Sequence, residues 1–186
     1  MSKVLKVPYL IQYDSNTSQG PRMCFSSSCS QVMNFLYPGK IDPKRGQIDD
    51  QYLMRLEAIG GDTTDAGAQI RTLASYDVAA RFRKDGDAAK LKAKIDAGKP
   101  VPIGILHHGH VSKPTGGGHW ICVVGYDSDS KGNVIALRVN DPAGDLDLVN
   151  GGYIGDGVPA AKYSCRNLLP RWEVDGPGSG WWIDFA

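Results

Sequence analysis

A chain of 186 residues with 41% hydrophobic side chains can bury a core without help from disulfides or metal. Its 21 basic and 20 acidic residues leave a net charge of +1 with no long run of either sign, which gives no electrostatic reason to expect nucleic acid or an anionic membrane as partner. No segment is apolar over the length a bilayer demands, and the first residues lack the apolar stretch of a signal peptide. The expectation is one domain spanning residues 1–186, monomeric, cytoplasmic and without a membrane partner. Cys24, Cys29, Cys122 and Cys165 are scattered, with no Cys-x-x-Cys pair, and read as free thiols.

Val7 to Tyr13 reads as a short extended segment, followed by turn formers from Asp14 to Pro21. From Cys24 onward, Phe25, Cys29, Val32, Met33 and Leu36 recur at helical spacing until Pro38-Gly39 stops the run. A second helix is predicted over Asp49 to Ile59, with Leu53, Leu56 and Ile59 on one face and Gly60-Gly61 as its stop. A third starts at a Thr64 or Asp65 cap and turns Ile70 and Leu73 inward. The fourth runs from Asp87, its cap, to Ala97 and ends at Gly98.

Beyond Lys99-Pro100 the character changes. Val101 to Leu106, Trp120 to Tyr126, Val134 to Val139 and Trp181 to Phe185 are rich in β-branched and aromatic residues and read as an antiparallel sheet, with Asp127 to Asn133 as a hairpin loop. Helices followed by strands predict an α+β fold with a site between the two halves.

Four polar residues stand beside these apolar runs. Cys24 sits on the first turn of its helix, where unpaired backbone N–H groups favour a thiolate. Taken alone it also reads as a small buried hydrophobe, as Cys29 does on the apolar stripe. His119 follows Gly116-Gly117-Gly118 and starts a strand; the next strand ends in Asn140-Asp141-Pro142. Adjacent strands can set an imidazole beside a carboxylate that orients it, Asp141 or else Asn140 in that role, although Asn-Asp-Pro is also ordinary turn chemistry. Gln12 is the candidate amide donor for an oxyanion, together with the Cys24 backbone N–H. Thiol, imidazole, carboxylate and amide together point to acyl transfer through a cysteine nucleophile.

The run Val7-Pro8-Tyr9-Leu10-Ile11-Gln12-Tyr13-Asp14, then Cys24 with Ser27 and Met33-Asn34-Phe35-Leu36, then Gly118-His119-Trp120 with Val123 to Asp127, then Asn140 to Gly144, resembles the papain-like cysteine peptidases of the bacteriocin-processing, double-glycine type and their standalone relatives. The resemblance extends from Val7 to about Gly144. It implies a papain-like fold, with a nucleophile helix in an N-terminal helical half packed on a C-terminal antiparallel sheet. It also implies Cys24 as nucleophile, His119 as general base, Asp141 as orienting acid, Gln12 at the oxyanion, and no cofactor. Phe25 stands after Cys24 where many relatives carry Gly or Asn. The segment Pro102 to Trp120 is similar to small phage-encoded members regarded as lysis enzymes. The substrate expected from this is peptidoglycan peptide, met once another protein opens the membrane. A peptidase that trims leader-type peptides and a wall-binding module without chemistry are the alternatives.

His107, His108, Asp145 and Trp120 are candidates for substrate contact, and one of Trp181 and Trp182 for flanking the site while the other packs in the sheet. The four histidines do not make a zinc set, since adjacent ones at a strand end face opposite ways and no cysteine or acid stands at ligand spacing. Asp127-x-Asp129-x-Lys131-Gly132 resembles the start of a calcium loop, but Lys131 occupies a ligand position and no distal glutamate follows, so it reads as a solvated turn. No metal is expected.

Overall fold

The computed structural model describes residues 1–186. In chain order the elements are β1 (Ser2–Val4), α1 (Cys24–Leu36), α2 (Ile48–Ala58), α3 (Ala66–Ser75), β2 (Ala80–Gly86), α4 (Ala88–Asp96), β3 (Val101–Ile105), β4 (His119–Ser128), β5 (Val134–Asn140), β6 (Asp145–Leu146), β7 (Tyr153–Gly155), β8 (Ala161–Ser164), α5 (Cys165–Trp172) and β9 (Gly180–Phe185). The α+β architecture expected from the sequence is the one observed.

Local chemistry sets the helix boundaries. Asp65 accepts hydrogen bonds from the Gly67 and Ala68 N–H groups, and Asp87 accepts from Lys90 N–H, so α3 and α4 begin at the caps their side chains provide. After α1 the chain turns at Tyr37, whose N–H still reaches the Met33 carbonyl, just before Pro38.

The main sheet is antiparallel throughout, in the order β2-β9-β3-β4-β5-β8. Strand β1 lies end to end with β3 along one side of β4, Lys3 opposite Tyr126 and Ile103 opposite Ile121. All ten residues of β4 are buried, because both faces of the sheet are covered. On one face Trp120, Cys122 and Val124 pack with Phe25, Cys29, Val32 and Met33 of α1 and with Tyr52, Leu56 and Leu73 of α2 and α3. On the other, Ile121 and Val123 meet Leu91 and Ile95 of α4 and Leu168 and Trp172 of α5. Each such fully buried aliphatic side chain stabilises the fold by about 1.5–3 kcal/mol.

Three features depart from the sequence expectation. Residues 7–11 form no regular strand, and Gln12–Asp14 is a single 3-10 turn, held by a bond from Gln12 N–H to the Pro142 carbonyl. The first half contributes two strands, β1 and β2, and the second contributes helix α5 and strand β8. The indole of Trp172 in α5 fills the space over Gly86 and Gly180, where an added Cβ would come within 2.5 and 2.2 Å of its ring carbons. Those two glycines are therefore fixed by close approach rather than by a turn. Trp182 is buried while Trp181 stays 43% exposed, the division expected of the tryptophan pair.

Candidate active site

Cys24 is the first residue of α1. The preceding Met23 offers no side-chain cap, so the first-turn N–H groups remain free to favour negative charge on the sulfur or near it. Cys24 as a residue is half-buried, while Phe25 behind it is buried. Phe25 lies flat against Trp120, ring centroids 3.5 Å apart and planes within 5°, and Ser28 Oγ donates to the Trp120 carbonyl at 3.0 Å. Each stacked residue directly follows one of the polar pair, Cys24 or His119. The stack thus pins the head of the helix to the head of β4, with a worth of about 0.5–1.5 kcal/mol beyond its area.

His119 enters β4 from a loop in which Gly116 and Gly118 take φ of 117° and 87°, a region open to glycine at little cost. Its Nε2 donates to Asp141 Oδ1 at 2.7 Å, with both side chains buried. Nδ1 is the ring nitrogen left for Cys24, and the thiol and the ring lie close enough to shift each other's ionisation. Burial pushes the Cys24 thiol up, but the His119 charge and hydrogen bond and a backbone bond from Trp120 outweigh it, and the thiol ends below its ordinary value. For His119, burial acts against the charged ring; the Asp141 carboxylate and then the Cys24 thiolate overcome it and raise the imidazole well above its ordinary value. The pair therefore favours thiolate and imidazolium, the nucleophile and the proton carrier of an acyl transfer.

Asp141 follows the last residue of β5, where Asn140 pairs with Cys122 of β4. Asn140, the other candidate for the orienting group, serves elsewhere: its amide donates to Gln31 Oε1 at 2.9 Å and its oxygen accepts from Ala160 N–H at 2.9 Å. Gln12 is 2% exposed and its Nε2 donates to the Gly20 carbonyl at 3.0 Å, with Oε1 unpartnered. An amide nitrogen carries two hydrogens, so one is left without a partner in the protein, although Gln12 itself does not line the cleft at Cys24.

A cleft of about 350 Å³ opens at Cys24, walled by Phe25, Trp120, Trp181 and Leu106 with the bare backbone of Gly117 and Gly118. Of the four candidate contacts, Trp120 lines this cleft. His107 stands outside it, its ring 5.4 Å from that of His119 and 6.1 Å from Tyr153; His108 and Asp145 are exposed and also outside it. Burial and then the charges of His119 and His108 lower His107 to about 4, so the ring is neutral at working pH. The Asp127 carboxylate is occupied by Arg138 and Lys162, and Asp129 by its own turn at Lys131 and Asn133.

Two sets of residues were not foreseen from the sequence. Tyr153 and Tyr163 donate their hydroxyls to the Asp141 carboxylate, and Tyr9 donates to its carbonyl at 2.7 Å. Arg171 of α5, fully buried, spends its guanidinium on the carbonyls of Leu106, His108, Gly109, Leu148 and Val149.

A half-buried cysteine at a helix head, beside an imidazole that a buried carboxylate holds from strand ends, on a papain-like fold, defines the class of cysteine peptidases. Residues 4–154 match the Peptidase_C39 like family, and the chain belongs to it. No curated protein matches the sequence. Among solved structures the fold is similar to a C39-like peptidase candidate from Bacillus anthracis, at a TM-score of 0.64 and 14% identity over 100% of this chain and 98% of that one. It is similar as well to a double glycine motif protease from an AMS/PCAT transporter in complex with the leader peptide, at 0.50 and 17% over 98% and 93%. UfSP from C. elegans matches at 0.57 and 13% over 100% of this chain and 34% of that one. At these identities the likeness is one of fold. No helix is long and apolar enough to cross a membrane.

Proposed function

We propose that the protein hydrolyses amide bonds in bacterial peptidoglycan peptides, as an endolysin-type cysteine peptidase. The observation that carries the peptidase chemistry is the buried bond of His119 Nε2 to Asp141, beside a Cys24 thiol near enough for the two groups to shift each other's ionisation. The Cys24 thiolate attacks the amide carbonyl carbon, and the resulting oxyanion takes the Cys24 backbone N–H and the free hydrogen of Gln12 Nε2. His119 gives its proton to the departing amine. Water then attacks the thioester, His119 accepts the water's proton, and the acid leaves with the thiolate restored. Asp141 keeps the proton on Nε2 throughout and supports the charged ring.

The wall substrate is supported by the likeness of Pro102 to Trp120 to phage-encoded members and by the wall of the cleft at Gly117 and Gly118, which leaves main-chain groups open to a small-residue peptide. Incubating purified sacculi with the protein and with its Cys24→Ala variant tests it, fragments being followed by mass spectrometry. Peptide release that needs Cys24 is expected. Intact sacculi in both samples, with cleavage of a Gly-Gly leader peptide by the unaltered protein, would establish the second reading, which the fold likeness to a leader-bound double glycine protease favours.

Gln12→Ala is expected to lower kcat by on the order of 10²–10³ with little change in KM, since the donor acts on charge that develops only in the transition state. Steady-state kinetics on a fluorogenic peptide would read it, and an unchanged kcat would remove Gln12 from the oxyanion site.

A further inference from the structure

The Asp141 carboxylate is 1% exposed and takes more than the one bond its proposed part in the reaction requires. Oδ1 accepts from His119 Nε2 at 2.7 Å and from Ala143 N–H at 3.0 Å. Oδ2 accepts from Tyr163 at 3.1 Å, and the Tyr153 hydroxyl straddles both oxygens at 3.3 Å each. The two phenols come from different strands, β7 and β8. Tyr153 also sets its ring edge-on to His119, centroids 5.5 Å apart at 75°.

We propose that Tyr153 and Tyr163 are positioning residues, whose hydroxyls hold the Asp141 anion in the plane that gives Oδ1 to His119. The inference rests on the catalytic reading of Cys24, His119 and Asp141. With His119 as its sole strong donor, a carboxylate turns about its last torsion and exchanges oxygens freely. Different donors on the two oxygens remove that freedom and share the charge. Burial, and then the Asp141 charge, raise both phenols far above their ordinary value, so both keep the proton they donate. The other groups facing this cluster are Cys24 from α1, His107 from the loop before β4, Tyr9 on the Asp141 carbonyl and Asp145 from β6. Of these only Tyr9 bonds Asp141, and through its main chain, so the donors to the carboxylate beyond His119 and a backbone N–H are the two phenols.

Tyr153→Phe keeps the ring and its edge contact with His119 and removes one hydroxyl. Tyr163→Phe also removes the acceptor of Leu146 N–H and costs more in folding. The readouts are the pH dependence of Cys24 alkylation by iodoacetamide, which needs no substrate, and kcat and KM on a cleaved peptide. Without a hydroxyl to hold it, the carboxylate turns about its last torsion and its bond to His119 Nε2 loosens, so the imidazolium, and with it the thiolate, loses support. The limb at which Cys24 becomes reactive is expected to rise by about half a pH unit in Tyr153→Phe and about one unit in the double variant. kcat falls about three- to tenfold at unchanged KM. A limb and kcat like those of the unaltered protein in folded Tyr153→Phe would overturn the proposal, whether or not the double variant folds. An unaltered protein whose Cys24 reacts only near the ordinary thiol value of ~8.5 would instead sink the catalytic reading beneath it.

Discussion

Cys24→Ala and His119→Ala are each expected to reduce peptide turnover by on the order of 10⁴–10⁶, and the double variant by no more than either alone, because the two side chains act as one unit. The pH dependence follows from the directions of their shifts. Cys24 ends below its ordinary value, so the thiolate is present from the acid side of the usual thiol range upward. His119 ends above its ordinary value, and the proton it must pass to the leaving amine is lost only in the alkaline range. Turnover should therefore rise as Cys24 ionises, hold across neutral pH, and fall as the ring deprotonates, the two limbs belonging to the coupled pair. In His119→Ala, burial of the thiol is opposed only by the backbone bond from Trp120, and its limb moves above the ordinary thiol value. Alkylation of Cys24 at pH 7 should then slow by about a hundredfold. Equal alkylation rates in the two proteins would show that His119 does not sustain the thiolate.

Much of this geometry was legible in the sequence because it lies at element boundaries. Pro38 after an apolar stripe closes α1, Asp65 and Asp87 cap their helices, and glycines precede His119 where β4 begins. A boundary with turn chemistry places its neighbours within a residue or two, which is how Cys24, His119 and Asp141 could be set on a helix head and two strand ends. Other parts were hidden for identifiable reasons. β2 reads Ala-Arg-Phe-Arg-Lys-Asp-Gly, an edge strand with Arg81 and Arg83 facing out and little apolar signal. α5 is eight residues long with Pro170 inside it, and its place in the fold comes from Trp172 filling the gap over two glycines. Tyr153 and Tyr163 look like ordinary strand residues, and no spacing ties them to Asp141. The expected contacts His108, in a loop, and Asp145, in the short strand β6, are exposed and lie outside the cleft, a distinction that depends on where loops fold back.

The largest effect on stability is expected at Arg171. An arginine is ordinarily a surface residue, yet the side chain of Arg171 is fully buried and its five N–H donors are matched by five backbone carbonyls. Those carbonyls belong to two segments, 106–109 and 148–149, that otherwise meet through the bonds Val111 N–H to Val149 and Gly152 N–H to His107. The first segment leads into the glycine loop and His119; the second leads to Tyr153. Arg171→Met keeps the length and apolar stem but leaves all five acceptors without a donor, and hydrogen bonds to a charged group are worth about 1.5–3 kcal/mol each. Part of that is recovered as the loops loosen and take up water, so a net loss of about 3–5 kcal/mol is expected. For a chain of this size the loss corresponds to a fall in Tm of about 8–15 °C. Arg171→Lys should recover only a small part, since an ammonium offers three donors from one point where the guanidinium offers a planar fork. Urea unfolding would read the effect as a lower midpoint at unchanged slope, and hydrogen exchange should show residues 107–118 losing protection first. A Tm within about 2 °C of the unaltered protein would mean that the two loops hold their shape without the guanidinium, and that His119 owes its placement to the Phe25–Trp120 stack and the Asp141 cluster alone.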